Sequence, residues 1–331
     1  MKEIKSLLKE HYSINALSIE KTNVGAGSDT YFVNCTDGKY VVKFPSVSEI
    51  NNPEAEPELC GYLLKNSISV CQFIKNNDGG YITNDESGRA FHVQKFVDGF
   101  LYDWNTAPDW LLNESAETLG KIHTALKNYS GLPVGIGGNF FKYMTPENAL
   151  RSYEGTLEAA RKNCDRDIEA DLLYRIELIK RFPKYSFDMD KLTLNATHGD
   201  YFISQLICGE SKINAVIDWT TACVHPVVWE IMRSYVYAAP ECANGEINIE
   251  RLAEYFNSYL RFAKLKDYDL CNAAKLFYYQ IAVCDYYNQY YTSTAVNREI
   301  YLRQAVFSTR LMRWFEKNIE LATECIANGN T

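Results

Sequence analysis

The first part of the chain alternates between apolar and polar residues in short runs, which is the pattern of half-buried strands. Strands are predicted at residues 17–22, 30–35 and 39–44, and the turn Asp37-Gly38 joins the last two. Strands linked by such tight turns predict an antiparallel meander. An amphipathic stretch at residues 2–11 predicts a helix before it. Shorter runs predict three more strands, at 68–74, 81–83 and 90–97.

Beyond Asp98-Gly99 the spacing of apolar residues changes to that of core-facing helices. Between Trp110 and Asn128 one stripe carries Leu112, Ala116, Leu119, Ile122 and Leu126. This spacing is typical of a helix with one buried face. Further helices are predicted at 146–162, 168–182, 226–235, 249–264, 269–291 and 297–327. The chain is therefore expected to have a strand-rich first part and a mainly helical remainder.

A predicted hairpin with an acidic residue before and after it interrupts the helices. Apolar runs at 206–208 and 213–217 flank a polar turn, and Asp200 and Asp218 lie 18 residues apart. Because a hairpin folds back on itself, the two carboxylates can face one volume. Phosphoryl transfer uses such a pair, in which one carboxylate orients a hydroxyl and the other holds Mg²⁺.

The spacing around Asp200 also matches a kinase catalytic loop. His198-Gly199-Asp200 is followed five residues later by Gln205, at the position where such loops place an amide side chain on the metal ion. The usual residue there is Asn. On these residues alone a structural role stays open, because an Asp at a strand end is also typical of a turn or a helix cap.

Backbone binding of a nucleotide is expected at two places. The turn between the first two strands contains Gly25, Gly27 and Ser28, where glycine permits close approach and free N–H groups can bind phosphate oxygens. An ordinary hairpin turn is the alternative. The strand at 90–97 ends where a kinase-like chain has its hinge, and there the backbone groups of Lys95 and Val97 are expected to pair with adenine.

Lys43 lies within an apolar strand, so it either reaches out to solvent or meets a buried anion. It is on the third strand after the glycine turn, where kinases place the lysine that holds the nucleotide phosphates. Its expected carboxylate partner is Glu56, with Glu58 as the second choice, on a helix whose start is indicated by Pro53 and Pro57. The alternative is that these glutamates only favour the helix N-terminus through its dipole.

Composition and charge narrow the class of protein. Of the 331 residues, 47% are hydrophobic and 23% are charged, as in an ordinary soluble globule. The net charge of −8 argues against nucleic acid or an anionic membrane as a partner and suits a cationic substrate. The ten cysteines form no Cys-x-x-Cys pair, which favours reduced thiols in the cytoplasm. No apolar run approaches the ~20 residues of a membrane span, and the oligomeric state stays open.

From the glycine turn and Lys43 onward, the chain resembles the aminoglycoside phosphotransferase family, whose relatives include choline kinase and spore-coat kinases. The resemblance covers nearly the whole chain and is strongest at His198-Gly199-Asp200 and Val216-Ile217-Asp218-Trp219. It implies an α+β, bilobal protein-kinase-like fold with a small antiparallel-sheet lobe and a large, mainly helical lobe. The implied division is a nucleotide-binding lobe at 1–98, which ends in the hinge, and a lobe at 99–331 with the catalytic loop and the acceptor site.

The resemblance also implies roles for individual residues. Asp200 would be the catalytic base, Asp218 the principal Mg²⁺ ligand, and Lys43 the phosphate ligand that pairs with a helix glutamate. His198 would brace the loop, and Glu230 would brace the helix behind it. Both are expected to be structural.

The implied activity is transfer of the γ-phosphate of ATP or GTP to a hydroxyl of a small molecule. Asp218 and Gln205 would hold Mg²⁺ across the phosphates while Asp200 aims the acceptor hydroxyl. Gln205 replaces the family's Asn and is one methylene longer, whereas Mg²⁺ requires near-octahedral geometry. The alternative is therefore a kinase-shaped binding or coat protein with weak or no turnover.

The acceptor is expected against the late helices. Tyr279, Tyr286 and Tyr290 fall at spacings of seven and four residues, which places them on one face of a continuous helix. Tyrosine rings attract cations, and Asp285 and Glu241 can add negative charge. These residues predict a hydroxylated acceptor that carries an amine or a quaternary ammonium, as an aminoglycoside or choline does. The alternative is that the tyrosines simply pack against the lobe.

Overall fold

The described part of the chain divides into two compact units. The computed structural model describes residues 2–22, 28–45, 54–136 and 140–328, with the backbone alone at 295–297. The units are Met1–Leu101 with Ser204–Ala222, and Tyr102–Ile203 with Cys223–Thr331. The segment at 204–222, which lies within the lobe predicted at 99–331, thus groups with the N-terminal residues.

Antiparallel strands and helices account for most of the described residues. The strands are β1 (Ala16–Thr22), β2 (Ser28–Cys35), β3 (Gly38–Pro45), β4 (Phe73–Ile74), β5 (Ile82–Asn84), β6 (Ala90–Lys95), β7 (Leu194–Thr197), β8 (Leu206–Cys208), β9 (Ile213–Val216) and β10 (Cys223–Pro226). The helices are α1 (Lys2–Tyr12), α2 (Ala55–Lys65), α3 (Asp109–Ala125), α4 (Phe140–Tyr143), α5 (Pro146–Asn163), α6 (Arg166–Lys180), α7 (Val227–Val236), α8 (Ile249–Leu260), α9 (Asp267–Val283), α10 (Tyr286–Thr292) and α11 (Ala295–Asn328).

The main sheet of the first unit has the strand order β1-β2-β3-β6-β4, and β5 also pairs with β6. All of these pairs are antiparallel. The predicted meander of the first three strands is confirmed, since β2 and β3 stay in register from Ser28 opposite Pro45 to Cys35 opposite Gly38.

Helix α1 packs its apolar stripe onto the central strands of this sheet. Ile4, Leu7 and Leu8 recur at helical spacing and are buried in one cluster with Val42 of β3 and Val93 of β6. Full burial of such a side chain stabilises the fold by roughly 1.5–3 kcal/mol. The amphipathic pattern of the first residues therefore determines which face of the helix meets the sheet.

A close backbone contact attaches the hairpin of β8 and β9 to the first unit. Phe100 and Cys208 exchange two hydrogen bonds of 2.8 and 2.9 Å. Gly99 makes room for this approach, because a Cβ at that position would lie 2.6 Å from the carbonyl oxygen of Cys208. The glycine of Asp98-Gly99, where the sequence pattern changes from strands to helices, thus has a specific steric reason.

A second contact joins β9 to the segment after α2. The Val216 N–H donates to the carbonyl oxygen of Ser69 at 2.9 Å, and Val70 pairs with Val216 in parallel. The strand predicted at 68–74 was therefore too long. Only β4 joins the main sheet, because the residues before it pair with the hairpin instead.

The second unit is mainly helical, with a two-stranded antiparallel sheet of β7 and β10. Helix α7 is its most enclosed element: it packs against α3, α8 and α9, and nine of its ten residues are buried. Polar groups on such a helix need partners inside the protein. The antiparallel sheet and the helical remainder confirm the predicted α+β class. No helix within the described ranges combines the length and apolar character needed to cross a membrane.

The helix predicted at 269–291 is two helices. Helix α9 ends at Val283, and α10 begins at Tyr286. Asp285 caps α10, since its carboxylate accepts the Asn288 N–H at 2.9 Å. The prediction that Tyr279 and Tyr286 share one face of a continuous helix was wrong, because the helical register is interrupted between them.

Candidate active site

Lys43 of β3 forms an ion pair with Asp218, which follows β9 in the same unit. Lys43 Nζ lies 2.9 Å from Asp218 Oδ1. The lysine side chain is 15% exposed and the aspartate side chain 39%, so the pair lies at the border between the core and solvent. Of the two interpretations of a strand lysine, the structure supports the one in which it meets an anion.

Asp218 has a strained backbone. Its φ of +64° and ψ of +67° lie in the left-handed region, which costs a non-glycine residue on the order of 1–3 kcal/mol unless its surroundings hold it there. The Thr220 hydroxyl donates to Asp218 Oδ1 at 2.9 Å. Strained residues of this kind cluster at functional sites, which makes Asp218 a candidate functional residue.

Glu56 connects helix α2 to the chain just after Asp218. The buried Glu56 carboxylate accepts the Trp219 N–H at 3.0 Å, whereas Glu58 is exposed. Burial raises the pKa of Glu56 above its ordinary value, and the charge of Lys43 opposes that rise. Glu56 thus interacts with Lys43 through its charge and with the backbone next to Asp218 through a hydrogen bond.

Gln205 lies beside Asp218 at the open end of the hairpin. The Ile217 N–H donates to the Gln205 carbonyl oxygen at 2.9 Å, one residue before Asp218, and Leu206 then pairs with Val216. The predicted hairpin is confirmed. It brings the backbone of Gln205 next to Ile217, the residue before Asp218, within the same unit.

The side chains of Gln205 and Asp218 suit Mg²⁺ as donors. The described residues contain no cluster of three or more His, Cys, Asp and Glu side chains that could hold a metal ion. Mg²⁺ needs no such cluster, because it commonly binds one or two protein oxygens together with waters and substrate phosphates. One carboxylate and one amide oxygen therefore fit a magnesium–nucleotide site, whereas they do not fit a zinc site.

Glu230 of α7 holds the backbone of the loop that leads to Asp200. Its carboxylate accepts the Gly199 N–H at 2.6 Å and the His198 N–H at 3.3 Å, and it also bonds His123 Nε2 at 2.8 Å. Burial raises the pKa of Glu230, but the hydrogen bond from His123 and the neighbouring histidines outweigh burial and lower it. The sequence assigned Glu230 to the helix behind the loop, whereas the structure shows its carboxylate bonded to the loop itself.

Arg233, one helical turn after Glu230, was not identified from the sequence. Its Nη2 forms an ion pair with Asp200 Oδ1, and its guanidinium lies over the rings of Phe202 and Tyr237 at 5.2 and 4.8 Å. Asp200 and Arg233 belong to the same unit. A signal was available in the sequence, because a charged residue on a helix as apolar as α7 must have a buried partner.

Other predicted nucleotide contacts are described only in part. Gly25 and Gly27 lie outside the described residues, and Ser28 is the first residue of β2, opposite Pro45. The Lys95 N–H donates to the Gln72 carbonyl oxygen at 2.8 Å. Val97 lies two residues beyond the end of β6, and its pairing with adenine stays a prediction.

The three predicted acceptor residues have different surroundings. Asp285 accepts the hydroxyls of Ser152 and Thr156 at 2.7 and 2.8 Å. Glu241 binds the Tyr235 hydroxyl and the Arg251 guanidinium at 3.0 and 3.1 Å, within the same unit. Tyr286 lines a cavity together with Arg233. The structure therefore brings only Tyr286 of the three close to the partner of Asp200.

Comparisons with known proteins identify the family and the fold. Residues 18–265 match the family described as APH, phosphotransferase enzyme family. Among curated proteins, none matched the sequence. A solved structure of spectinomycin phosphotransferase, in complex with ADP and spectinomycin, is similar with a TM-score of 0.64 at 14% identity, over 99% of this chain and 98% of that one.

Two further solved structures are similar to the same degree. Amicoumacin kinase, in complex with AMP-PNP, Ca²⁺ and Ami, has a TM-score of 0.63 at 14% identity, over 93% of this chain and 92% of that one. A microcompartment-associated aminopropanol kinase has a TM-score of 0.63 at 14% identity, over 97% and 98%. At such identity the likeness shows the fold, which is that of protein-kinase-like phosphotransferases.

Proposed function

Because the chain belongs to the APH phosphotransferase enzyme family, and is thus a small-molecule kinase, we propose that it moves the γ-phosphate of ATP or GTP to a hydroxyl of a small molecule. The ion pair of Lys43 and the strained Asp218 carries this proposal. In this pair the Lys43 ammonium lies 2.9 Å from the Asp218 carboxylate, which supports a site where the cation meets the nucleotide phosphates and the carboxylate holds their metal ion. Similar structures hold ADP, GDP or AMP-PNP, which supports a nucleotide as co-substrate.

In the first unit, we assign nucleotide binding to Lys43, the glycine turn and the backbone of Lys95 and Val97. Asp218 and Gln205 are the side chains that would hold Mg²⁺, an ion that neutralises the charge developing on the phosphates when it is bound. Glu56 maintains the position of Asp218 through the Trp219 N–H. The nucleotide lobe at 1–98 then acts together with the hairpin at 204–222.

In the second unit, we assign the acceptor hydroxyl to Asp200. The carboxylate accepts a hydrogen bond from the hydroxyl and aims it at the γ-phosphorus, and positioning of this kind supplies most of the rate in phosphoryl transfer. Glu230 holds the loop by accepting the Gly199 N–H and, from the same loop, the His198 N–H. The acceptor part of the predicted lobe at 99–331 is thus the second unit, which leaves out the hairpin at 204–222.

The cellular compartment and the chemical class of the acceptor are further parts of the proposal. All ten cysteines are free thiols, which supports the cytoplasm as the expected location. An amine-bearing acceptor, predicted from Asp285, Glu241 and Tyr286, stays a prediction.

A phosphorylation screen tests the proposed function. The purified protein is incubated with Mg²⁺ and ATP or GTP and with aminoglycosides, choline, amino alcohols, sugars and hydroxy acids, and products are read by mass spectrometry. We expect a product one phosphoryl group heavier that disappears in the Asp200→Asn and Asp218→Ala variants. Nucleotide binding without any product would favour the alternative of a kinase-shaped binding protein.

A further inference from the structure

A small cavity lies next to the partner of Asp200 in the helical unit. It has a volume of about 200 Å³ and is lined by aromatic side chains, among them Trp229, Phe277 and Tyr301. Of the described residues that line it, Arg233 is the one charged residue. Ligand pockets commonly measure ~300–1,000 Å³, so this cavity suits a small molecule or a small part of a larger one.

The guanidinium of Arg233 has hydrogen-bonding capacity to spare. Nη2 pairs with Asp200, but Nη1 is buried and has no hydrogen-bond partner among the described residues. Trp104 Nε1 is the other buried side-chain donor in the described residues without a partner. Buried donors of this kind are uncommon and call for an explanation.

Both unpaired donors belong to residues that pack on the ring of Tyr237. The Arg233 guanidinium lies 4.8 Å from the ring centroid, and the Trp104 ring stacks at 6.1 Å with an interplanar angle of 17°. The Tyr237 hydroxyl itself donates to Gln304 Oε1 at 2.6 Å. The surroundings of Arg233 therefore offer unpaired N–H donors and positive charge, whereas the Tyr237 hydroxyl is already hydrogen-bonded.

The polar groups that could receive a cation are used elsewhere. Gln280 Oε1 accepts the Trp229 Nε1–H at 3.4 Å, and Gln280 Nε2 donates to the Tyr286 hydroxyl at 3.2 Å. Asp285 binds Ser152 and Thr156 and caps α10. Apart from Asp200, the described surroundings of Arg233 thus favour an anionic group over an amine.

We propose that the acceptor is a small hydroxy acid, whose carboxylate binds Arg233 and whose hydroxyl is presented to Asp200. The inference rests on the phosphotransferase function proposed above and names its acceptor class. A guanidinium carries several N–H donors in a planar fork, so Arg233 can keep Nη2 on Asp200 while Nη1 donates to a second carboxylate. A ligand that joins a carboxylate to a hydroxyl over a few bonds spans from Nη1 to the Asp200 carboxylate.

The transfer balances without a further reagent. The hydroxyl oxygen forms a bond to the γ-phosphorus as the bond from that phosphorus to the bridging oxygen breaks. The proton of the hydroxyl passes to the Asp200 carboxylate and from there to solvent. One hydroxy acid and one ATP thus give a phosphorylated hydroxy acid, ADP and a proton.

The first test compares acceptors that differ only in one group. Glycerate, glycerol and aminopropanediol share a three-carbon skeleton and differ at one terminal carbon, which is a carboxylate, a hydroxymethyl group or an aminomethyl group. Lactate with aminopropanol gives a second set. ADP release and phosphorus NMR of the product give kcat/KM for each. We expect the hydroxy acid of a set to exceed its partners about 10- to 100-fold, the scale of a charge-assisted hydrogen bond. Equal or better rates with the amines would overturn the inference while leaving the phosphotransferase function intact.

The second test changes Arg233. Arg233→Met should raise the KM of the hydroxy acid about 10- to 100-fold and leave the KM of ATP unchanged, and Arg233→Lys should restore part of the affinity. The matched control is Arg261→Met, which removes an arginine that pairs with the carboxylate of Glu117 in the same unit. Thermal unfolding of each variant verifies that it folds.

The methyl ester of the same hydroxy acid separates carboxylate binding from positioning of Asp200. If Arg233 binds the carboxylate, Arg233→Met loses more activity with the acid than with the ester, so the wild-type preference for the acid disappears, because loss of the ion pair with Asp200 affects both acceptors equally. If Arg233 only holds Asp200, the variant loses activity with acid and ester alike, which refutes the assignment.

A protein that transfers phosphate to no acceptor would refute the proposed function, and binding then decides the inference. Trp229 lines the cavity, so its fluorescence reports on glycerate or lactate added with AMP-PNP. Saturable quenching that Arg233→Met abolishes supports the hydroxy-acid site. An absence of quenching, or equal quenching by the amines, overturns the hydroxy-acid inference.

Discussion

At the scale of single residues, the site depends on charged side chains that hold backbone in unusual positions. Asp218 stays in a left-handed conformation and faces Lys43, while Glu56 holds the next N–H. The Glu230 carboxylate likewise accepts the N–H of Gly199, whose φ is +81°. In both places a buried carboxylate accepts a backbone N–H next to an aspartate for which we propose a function. Substitution of an aspartate should thus affect chemistry more than folding.

Asp218→Ala should abolish the Mg²⁺ dependence of nucleotide binding, because it removes the charged oxygen ligand of the ion. It should also destabilise the fold by about 1 kcal/mol, since alanine tolerates the left-handed region less well than aspartate. Calorimetry with ATP at varied Mg²⁺ measures the first effect and thermal unfolding the second. Asp218→Asn is the control that keeps the backbone preference, and unchanged Mg²⁺ dependence in the alanine variant would contradict the assignment.

Asp200→Asn should keep nucleotide affinity and lower kcat by ~10²–10⁴, the scale of a positioned base. The amide still occupies the place beside Arg233 but accepts the hydroxyl proton poorly. Single-turnover phosphotransfer with ATP measures the loss. Near-wild-type turnover in this variant would exclude Asp200 from the chemistry.

Gln205→Asn should leave activity unchanged or raise it, because the hairpin positions residue 205 through its carbonyl oxygen and Ile217, whichever side chain it carries. The shorter amide then reaches the metal with the geometry common in kinases. Steady-state kinetics at several Mg²⁺ concentrations test this. A large loss of activity would show that the site is built around the longer side chain.

At the scale of elements, the sequence predicted most of the strands and helices but missed contacts that depend on tertiary structure. Periodicity identified the meander, the hairpin and nearly every helix, because each presents one apolar face. It could not show that Val70 pairs with Val216, or that Asp285 interrupts a helix, because both depend on residues far away in the chain. Lys43, Asp200 and Asp218 were found through motif spacing, whereas Arg233 has no motif and gains its role only from the enclosure of α7.

Asp285→Ala should destabilise the protein by about 1–3 kcal/mol, because it removes the cap of α10 and leaves the Ser152 and Thr156 hydroxyls without their acceptor. The acceptor KM should stay within about twofold of wild type. Thermal unfolding and steady-state kinetics are the measurements. A raised KM at unchanged stability would instead support the sequence prediction that Asp285 binds the acceptor.

At the scale of the whole molecule, each unit contains a buried histidine that burial keeps neutral. Burial lowers the pKa of His92 in the first unit to about 3 and that of His225 in the second to about 4. An unfolded histidine has a pKa of ~6.5. Below that pH the unfolded chain binds more protons than the folded one, so stability is lost as the pH falls.

Both units should therefore lose stability as the pH falls below about 6.5, down to about pH 3 for the first unit and about pH 4 for the second. Thermal unfolding of the wild type and of His92→Gln across this range tests the contribution of His92. The variant lacks the titrating ring, so the difference in stability between the two proteins should shrink toward acid pH. Parallel pH profiles would show that His92 contributes nothing to the acid sensitivity.

Helix α7 carries both Glu230, which accepts the Gly199 N–H, and Arg233, which lines the cavity one turn later. The two side chains have separate neighbours on one helix, but Arg233 also pairs with Asp200. Under the proposed roles, a replacement at position 233 changes the acceptor site and the surroundings of the aspartate together. A change of acceptor class at this position during evolution therefore calls for a second substitution that gives Asp200 a new partner.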